Sequence, residues 1–442
     1  MLLVLDLQEF GRVTIAEMRL PSVIHMPEAV PWGGRQLALS LTTLALAGCA
    51  AAMPTEDIVP NPSRTPIRLG PTSTAKPTST APPLANPSAT AVPLPAISRD
   101  DWALGPTAAP VQFLVYSDFQ SGNAALGLQA LFETYDRHPD QVAIVFRHFP
   151  VLPQYDKDSL AGQAAEAAGQ QGLFWEMARM LAFRRDEWAV LSPEGFLEWV
   201  LEQAPLLGLD ADEFGADLGS GRFAALMLDA FQEASAAGIP GVPTMWMNGA
   251  PLRISPTTLN FEFAVRLELL ALQQVPTPPE MTLDPTKAYT AILETEGGDV
   301  VIQLLPDSAP QAANSFIMLA QQGWFDGMEI HRVEPGILVE TGDPSGTGFG
   351  DAGYHLPDEI DPRLGFDRPG IVALSSAGPG TGGSRFFITL RPLADLSGSR
   401  TIFGRVIEGL DLLEALEARD PAQDLLLPGA AVVRRVRVET TG

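Results

Sequence analysis

Ile330-His331-Arg332-Val333-Glu334-Pro335-Gly336-Ile337-Leu338-Val339-Glu340-Thr341-Gly342-Asp343 is the stretch whose reading decides the fold. It is answered downstream by Gly383-Ser384-Arg385-Phe386-Phe387-Ile388-Thr389 and by Phe403-Gly404-Arg405-Val406. Short apolar runs punctuated by glycine and proline read as strands and tight turns. Arg332 stands between apolar strand residues and is matched by a later Phe-Phe pair. That arrangement points to a chemistry needing one fixed cation beside an apolar pocket.

The surroundings extend the strand reading. Ala288–Thr295 and Asp299–Leu304 read as strands joined by the turn at Gly297-Gly298. Residues 309–322 read as a helix, with Pro310 tolerated in its first turn. Short strands and glycine-rich loops then run on until a helical stretch at residues 410–418. Such a composition suits a closed antiparallel β-barrel with flanking helices.

The order and spacing of these pieces resemble the cyclophilin-type peptidyl-prolyl isomerases over residues 288–438. The resemblance implies rotation of Xaa-Pro bonds without a cofactor, with proline-containing unfolded or exported polypeptides as partners. It puts Arg332, Glu340 and Phe387 at catalytic positions, Phe387 lining the proline pocket with Ile337, Leu338 and Leu396. Ser375 and Ser376 fall where the family binds the peptide backbone, and Arg400 falls beside the pocket.

Several positions depart from the family's pattern. Ile337 stands for a phenylalanine and Leu338 for a methionine; both are apolar, so a proline pocket persists with weaker aromatic contact. Arg400 replaces a histidine or similar residue, and Asp395 replaces the tryptophan or other residue beside the pocket leucine; the latter change should weaken binding of cyclosporin-like ligands. Glu340 replaces a glutamine. An ionised glutamate only accepts hydrogen bonds, and beside Arg332 it would compete with substrate for the guanidinium. Turnover is then expected to fall by roughly one or two orders of magnitude, from the ~1.5–3 kcal/mol of a hydrogen bond to a charged partner.

Upstream, residues 111–116 and 142–146 read as strands and residues 123–137, 160–182, 193–204 and 223–237 as helices, an α/β order. Tyr116-Ser117-Asp118-Phe119-Gln120, Phe146-Arg147-His148-Phe149-Pro150, Ala164-Ala165-Glu166-Ala167-Ala168 and Phe174-Trp175-Glu176-Met177 are similar to the DsbA-type thioredoxin fold. Gly241-Val242-Pro243-Thr244 resembles that family's cis-proline loop, which implies a cis bond between Val242 and Pro243. Where the family carries Cys-x-x-Cys, this chain has Ser121-Gly122-Asn123-Ala124. Serine and alanine cannot cycle between thiol and disulfide, so thiol–disulfide exchange is lost while the fold is kept.

At 442 residues the chain is too long for one ordinary core. A formal net charge of −25 argues against nucleic acid as a partner, since phosphate needs a basic face. The 5 histidines are scattered without ligand spacing, so no metal site is expected. The single cysteine, Cys49, excludes an internal disulfide. It follows Arg35 and the apolar run from Leu37 to Leu46, too short to span a membrane. Leu46-Ala47-Gly48-Cys49 looks like a bacterial lipobox, implying a lipid anchor on Cys49 and an extracytoplasmic protein tethered to the cell membrane. Asp6, Glu9 and Glu17 are out of place ahead of a signal peptide, so translation is expected to start near Met26. Residues 50–98, rich in Pro, Thr, Ser and Ala, read as a disordered tether reaching on the order of 100 Å at ~3.1 Å per residue.

The resulting plan is a leader (1–49), a linker (50–98), a degenerate DsbA-like domain (99–274), a proline-rich bridge (275–287) and a cyclophilin-like domain (288–442). The competing functional expectation is a non-catalytic extracytoplasmic peptide-binding or chaperone lipoprotein.

Overall fold

The computed structural model describes residues 97–98, 101–152, 154–284 and 287–441, all within one contact-defined unit. The leader, Cys49 and nearly all of the linker lie outside the described residues.

The first domain runs β1 (Trp102–Leu104), β2 (Val111–Ser117), α1 (Gly122–Arg137), β3 (Val142–His148), α2 (Asp158–Gln170), α3 (Phe174–Phe183), α4 (Arg185–Trp188), α5 (Pro193–Gln203), α6 (Ala211–Gly219), α7 (Arg222–Ala236), β4 (Thr244–Met247), β5 (Ala250–Pro251) and α8 (Thr258–Ala271). Its strands order as β1-β3-β2-β4-β5, with β2 and β3 parallel. A parallel pair needs both faces covered, and β2 is apolar on both. Val111, Phe113 and Val115 enter one core cluster; Leu114 and Tyr116 enter another with Val145 and Trp246. This is a thioredoxin-like layering.

Two helical readings change here. The helix expected over residues 160–182 is two helices, because Gly172 takes φ +78° and the Leu173 N–H turns back to the Ala168 carbonyl at 3.0 Å. Helix α8 was not foreseen. In its sequence, TLNFEFAVRLELLA, apolar residues are spread around the helix and only Ala271 is exposed. Such a helix shows little amphipathic period and belongs where more than one side is buried.

The second domain runs β6 (Ala288–Thr295), β7 (Asp299–Leu304), α9 (Pro310–Gln321), β8 (Met328–Glu329), β9 (Arg332–Glu334), β10 (Leu338–Thr341), β11 (Ile371–Leu374), β12 (Phe386–Thr389), β13 (Ile402–Glu408), α10 (Leu410–Glu414), α11 (Pro421–Asp424) and β14 (Val432–Thr441). They form a 9-stranded antiparallel sheet, β8-β14-β6-β7-β13-β11-β12-β10-β9. The sheet is curled rather than closed by a ladder. Its end strands β8 and β9 do not pair with each other; they are consecutive in the chain, parted by Ile330 and His331. The sheet therefore meets itself through the chain. Inside the curl, Phe316 of α9 packs on Phe325 at 5.0 Å, on Phe386 at 5.4 Å and on Phe403 at 5.5 Å. Such pairs favour offset-stacked or edge-on rings, and the Phe325 contact is stacked while the Phe386 contact is edge-on. The helix expected at 410–418 is shorter, ending at Glu414.

Candidate active site

Pro335 and Gly336 make the turn between β9 and β10, with Gly336 at φ +68°, where a side chain would be strained. The Ile337 N–H closes the turn on the Glu334 carbonyl at 2.9 Å. Register then decides the site. Arg332 pairs across the strands with Glu340, and Glu340 pairs with Phe387 on β12, which pairs with Ala373 on β11. Directly opposed residues share a face. A cation, an anion and an aromatic ring thus stand in one row across adjacent strands, with Arg332 and Phe387 about 10 Å apart at two strand spacings.

The charges in this row are shared among more groups than the motif suggested. Arg332 has a half-exposed side chain, and its Nη2 makes a short contact with Glu334 Oε1. Its Nη1 lies 3.7 Å from Glu340 Oε2, an ion pair beyond hydrogen-bonding distance. Glu340 is 8% exposed, and its Oε1 receives Arg385 Nη1 at 3.3 Å. Arg385 Nη1 also donates to the Gly348 carbonyl in a short contact. Glu340 is thus held between two guanidinium groups. The fully buried His331 adds no charge: burial pulls its pKa below the ordinary histidine range, with the nearby carboxylates only partly opposing.

The apolar half of the site is a small cluster beside that row. Phe387, 6% exposed, lies with Phe366, Ile371, Ala373 and Ile402, and Leu338 and Leu396 pack against it. Phe366 stacks on Phe387 at 5.8 Å with the rings 13° apart. Arg400 shares a shallow recess with Leu364 and Ile402 of the same neighbourhood. Ser375 donates its N–H to the Arg385 carbonyl at 3.0 Å, and Ser376 follows it half-buried. Ile337 is not part of the cluster; it sits in the hairpin turn, where its carbonyl accepts from Leu390 N at 2.8 Å.

Arg332, Glu340, Phe387, Leu338 and Leu396 therefore come together, with Ser375, Ser376 and Arg400 around them. Sequence reasoning overlooked three contributors: Glu334, Arg385 and Phe366. Strand alternation could have found the first, since residues 332 and 334 must point to the same side. Arg385 was visible in the motif but carried no sign of its partner. Phe366 lies in a loop and carried no signal.

In the first domain, Ser121-Gly122-Asn123-Ala124 leads into α1. Ser121 precedes α1, and Asp118 Oδ1 accepts from its N–H at 3.1 Å and its hydroxyl at 2.6 Å. Asp158 Oδ2 accepts from Val151 N at 2.5 Å. Both carboxyls are almost wholly buried and interact directly. Burial pushes the Asp118 carboxyl up; burial and then the charge of Asp118 push Asp158 up to about 8. Asp118 Oδ2 and Asp158 Oδ1 are buried with no other hydrogen-bond partner, and the rise of both carboxyls favours a proton kept on the pair. The peptide bond between Val242 and Pro243 is cis. Among the described residues, no group of three or more His, Cys, Asp or Glu is placed to hold a metal ion.

Residues 290–441 match the family described as cyclophilin type peptidyl-prolyl cis-trans isomerase/CLD, and residues 98–262 match a thioredoxin family. Peptidyl-prolyl cis-trans isomerase B of Streptomyces anulatus is 40% identical over 169 residues, 34% of this chain and 96% of that protein. Peptidyl-prolyl cis-trans isomerase-like 1 of Mus musculus is 41% identical over 139 residues, 31% of this chain and 81% of that protein. A crystal structure of a Cryptosporidium parvum cyclophilin type isomerase, in the presence of the dipeptide Ala-Pro, is 30% identical, covers 34% of this chain and 99% of its own, and superposes with a TM-score of 0.32.

Proposed function

We propose the following chemistry for this chain, which belongs through its C-terminal domain to the cyclophilin-type peptidyl-prolyl cis-trans isomerases. Amide resonance gives the Xaa-Pro bond a rotation barrier of about 18–20 kcal/mol. No bond need be made or broken; the twisted state needs stabilising. As the bond twists, the prolyl nitrogen becomes pyramidal and regains a lone pair. Arg332 donates an N–H to that lone pair, and because the planar amide offers none, the interaction favours the twisted state over the ground state. Phe387, Leu338 and Leu396 grip the proline ring so that only the acyl half turns. Ser375 and Ser376 offer backbone groups to the peptide. The observation that carries this reading is the row Arg332–Glu340–Phe387, a cation beside an apolar cluster on one sheet face.

The substrates we propose are exported polypeptides meeting the enzyme outside the cytoplasm, where a lipid on Cys49 would hold it to the membrane. The thioredoxin-like domain then works without thiol chemistry, since the chain's only cysteine lies in the leader region. Labelling with a radioactive fatty acid, lost in Cys49→Ala, tests the anchor; equal labelling of the variant defeats it.

A protease-coupled assay on an Xaa-Pro peptide, run on the full chain and on Arg332→Ala, tests the chemistry. The parent should be faster by about 10²–10³, the loss associated with removing a transition-state donor. A second reading, a peptide-binding module without turnover, is favoured by one observation: Arg332 is engaged by both Glu334 and Glu340. Equal rates in the two proteins would support it.

A further inference from the structure

Helix α8 serves two domains. Phe261, Ala264 and Val265 belong to the thioredoxin-like core, whereas Phe263 and Arg266 turn toward the isomerase domain. The Phe263 ring meets Phe349 edge-on at 5.3 Å, and Arg266 Nη1 donates to the Ser345 carbonyl at 3.4 Å. Arg266 is itself fixed, its Nε donating at 2.7 Å to Glu262, which is 1% exposed. This dual use explains why α8 is covered nearly all round, with only Ala271 exposed.

The loop that α8 touches has a set shape. Asp343, fully buried, accepts from the backbone N–H of Ser345, Gly348 and Gly350 at 2.8, 2.8 and 2.9 Å. The same loop supplies the Gly348 carbonyl that anchors Arg385 Nη1, the nitrogen that reaches Glu340. A continuous set of contacts therefore runs from α8 through residues 343–350 to Arg385, Glu340 and Arg332.

We infer that the thioredoxin-like domain is a positioning element of the isomerase, acting through Phe263 and Arg266. By fixing the 343–350 loop it keeps Arg385 on Glu340. With Arg385 in place, Glu340 has a second cation and makes a weaker claim on Arg332, which stays available to substrate. If Arg385 drifts, Glu340 turns to its other partner, because the pull between two charges varies inversely with their separation. Glu340 is nearly buried, so solvent screens this competition less than on an open surface. The lost cysteines then leave a domain whose remaining work is mechanical. This inference rests on the isomerase reading above.

The test uses the full chain. Phe263→Ala and Arg266→Met are made in the parent and in Glu340→Gln, and kcat and KM are measured on an Xaa-Pro peptide with melting temperatures in parallel. Each variant should lower kcat by about 3–10-fold with KM little changed. In Glu340→Gln the loss should shrink to less than about 1.5-fold, because no carboxylate remains to capture Arg332. General loosening of the isomerase domain would instead carry the same loss into both backgrounds. If Phe263→Ala melts below the assay temperature, Phe263→Leu is read in its place. Unchanged kcat in all variants, or equal losses in the two backgrounds, overturns the inference alone. A parent no faster than Arg332→Ala overturns the isomerase reading, and the inference with it.

Discussion

The thioredoxin-like domain of this chain contains no cysteine, whereas the isomerase domain keeps an arginine in line with an apolar cluster. In the first, Asp118 accepts both the N–H and the hydroxyl of Ser121 at the start of α1, and the buried Asp158 carboxyl stands beside it at the start of α2. In the second, Arg332 is half exposed and faces Glu334 and Glu340, and Glu340 is also held by Arg385. Thiol chemistry cannot be graded, because a domain without a thiol does none. Loss of a preference for the twisted amide can be graded, because it depends on how strongly one donor is claimed by its neighbours.

Substitutions can break this comparison at either site. The largest effect after Arg332 itself belongs to the pocket. Phe387→Ala should lower kcat/KM by about 30–100-fold, corresponding to ~2–3 kcal/mol of apolar grip on the proline ring. Phe387→Leu should recover most of it, and an unaffected kcat/KM in both variants would remove the proline pocket from the account.

The next effect lies in the other domain and is read in stability. Asp158 titrates near 8 in the fold against an ordinary value of 3.8. A raised carboxyl pKa means that the folded state holds a proton which the unfolded state has released. Its contribution is complete below about pH 4 and is lost as pH rises toward about 8. Asp158→Asn keeps the acceptor for Val151 N and a donor for Asp118 without needing that proton. It should match the parent at pH 4 and be more stable at pH 8, by on the order of 1–3 kcal/mol. Parallel stability–pH curves in denaturant would show that the two carboxyls share no proton.

Smaller effects come from the charges around Arg332. Glu340→Gln should raise kcat/KM by roughly 5-fold, about 1 kcal/mol. That is below the one to two orders expected from the motif alone, because Arg385 already takes part of the carboxylate's charge. No gain would refute the competition between Glu340 and substrate. Glu334→Gln should raise it only about 2-fold, since that pair is exposed. The gap between Glu334→Gln and the parent should narrow as salt rises toward 0.5 M, about where the screening length drops below 5 Å; a salt-independent gap would mean that Glu334 acts by other than charge.

The sequence carried the site unevenly. Strand residues were legible because alternation and turn glycines constrain them locally: the β6–β7 hairpin falls where Gly297-Gly298 put it. The layering of the first domain was likewise visible in the doubly apolar run of β2. Partnerships set by tertiary structure were hidden. Nothing near Arg385 announces that it will lie on Glu340, 45 residues away in the chain. Helix α8 was missed for the same reason, since a helix buried on two sides loses the one-faced period by which helices are recognised. The open ends of the curled sheet were also invisible, because closure there depends on a two-residue break at Ile330 and His331.

We propose that Arg332 turns a bound Xaa-Pro peptide rather than only holding it. Exchange spectroscopy by NMR on a labelled Xaa-Pro peptide measures cis–trans interconversion and binding in the same sample. The parent should accelerate exchange well beyond the uncatalysed rate, and Arg332→Ala should bind the peptide with similar affinity while losing about 10²–10³ of that acceleration. A parent that binds the peptide without speeding its exchange, or an Arg332→Ala protein that speeds it equally, would contradict the claim.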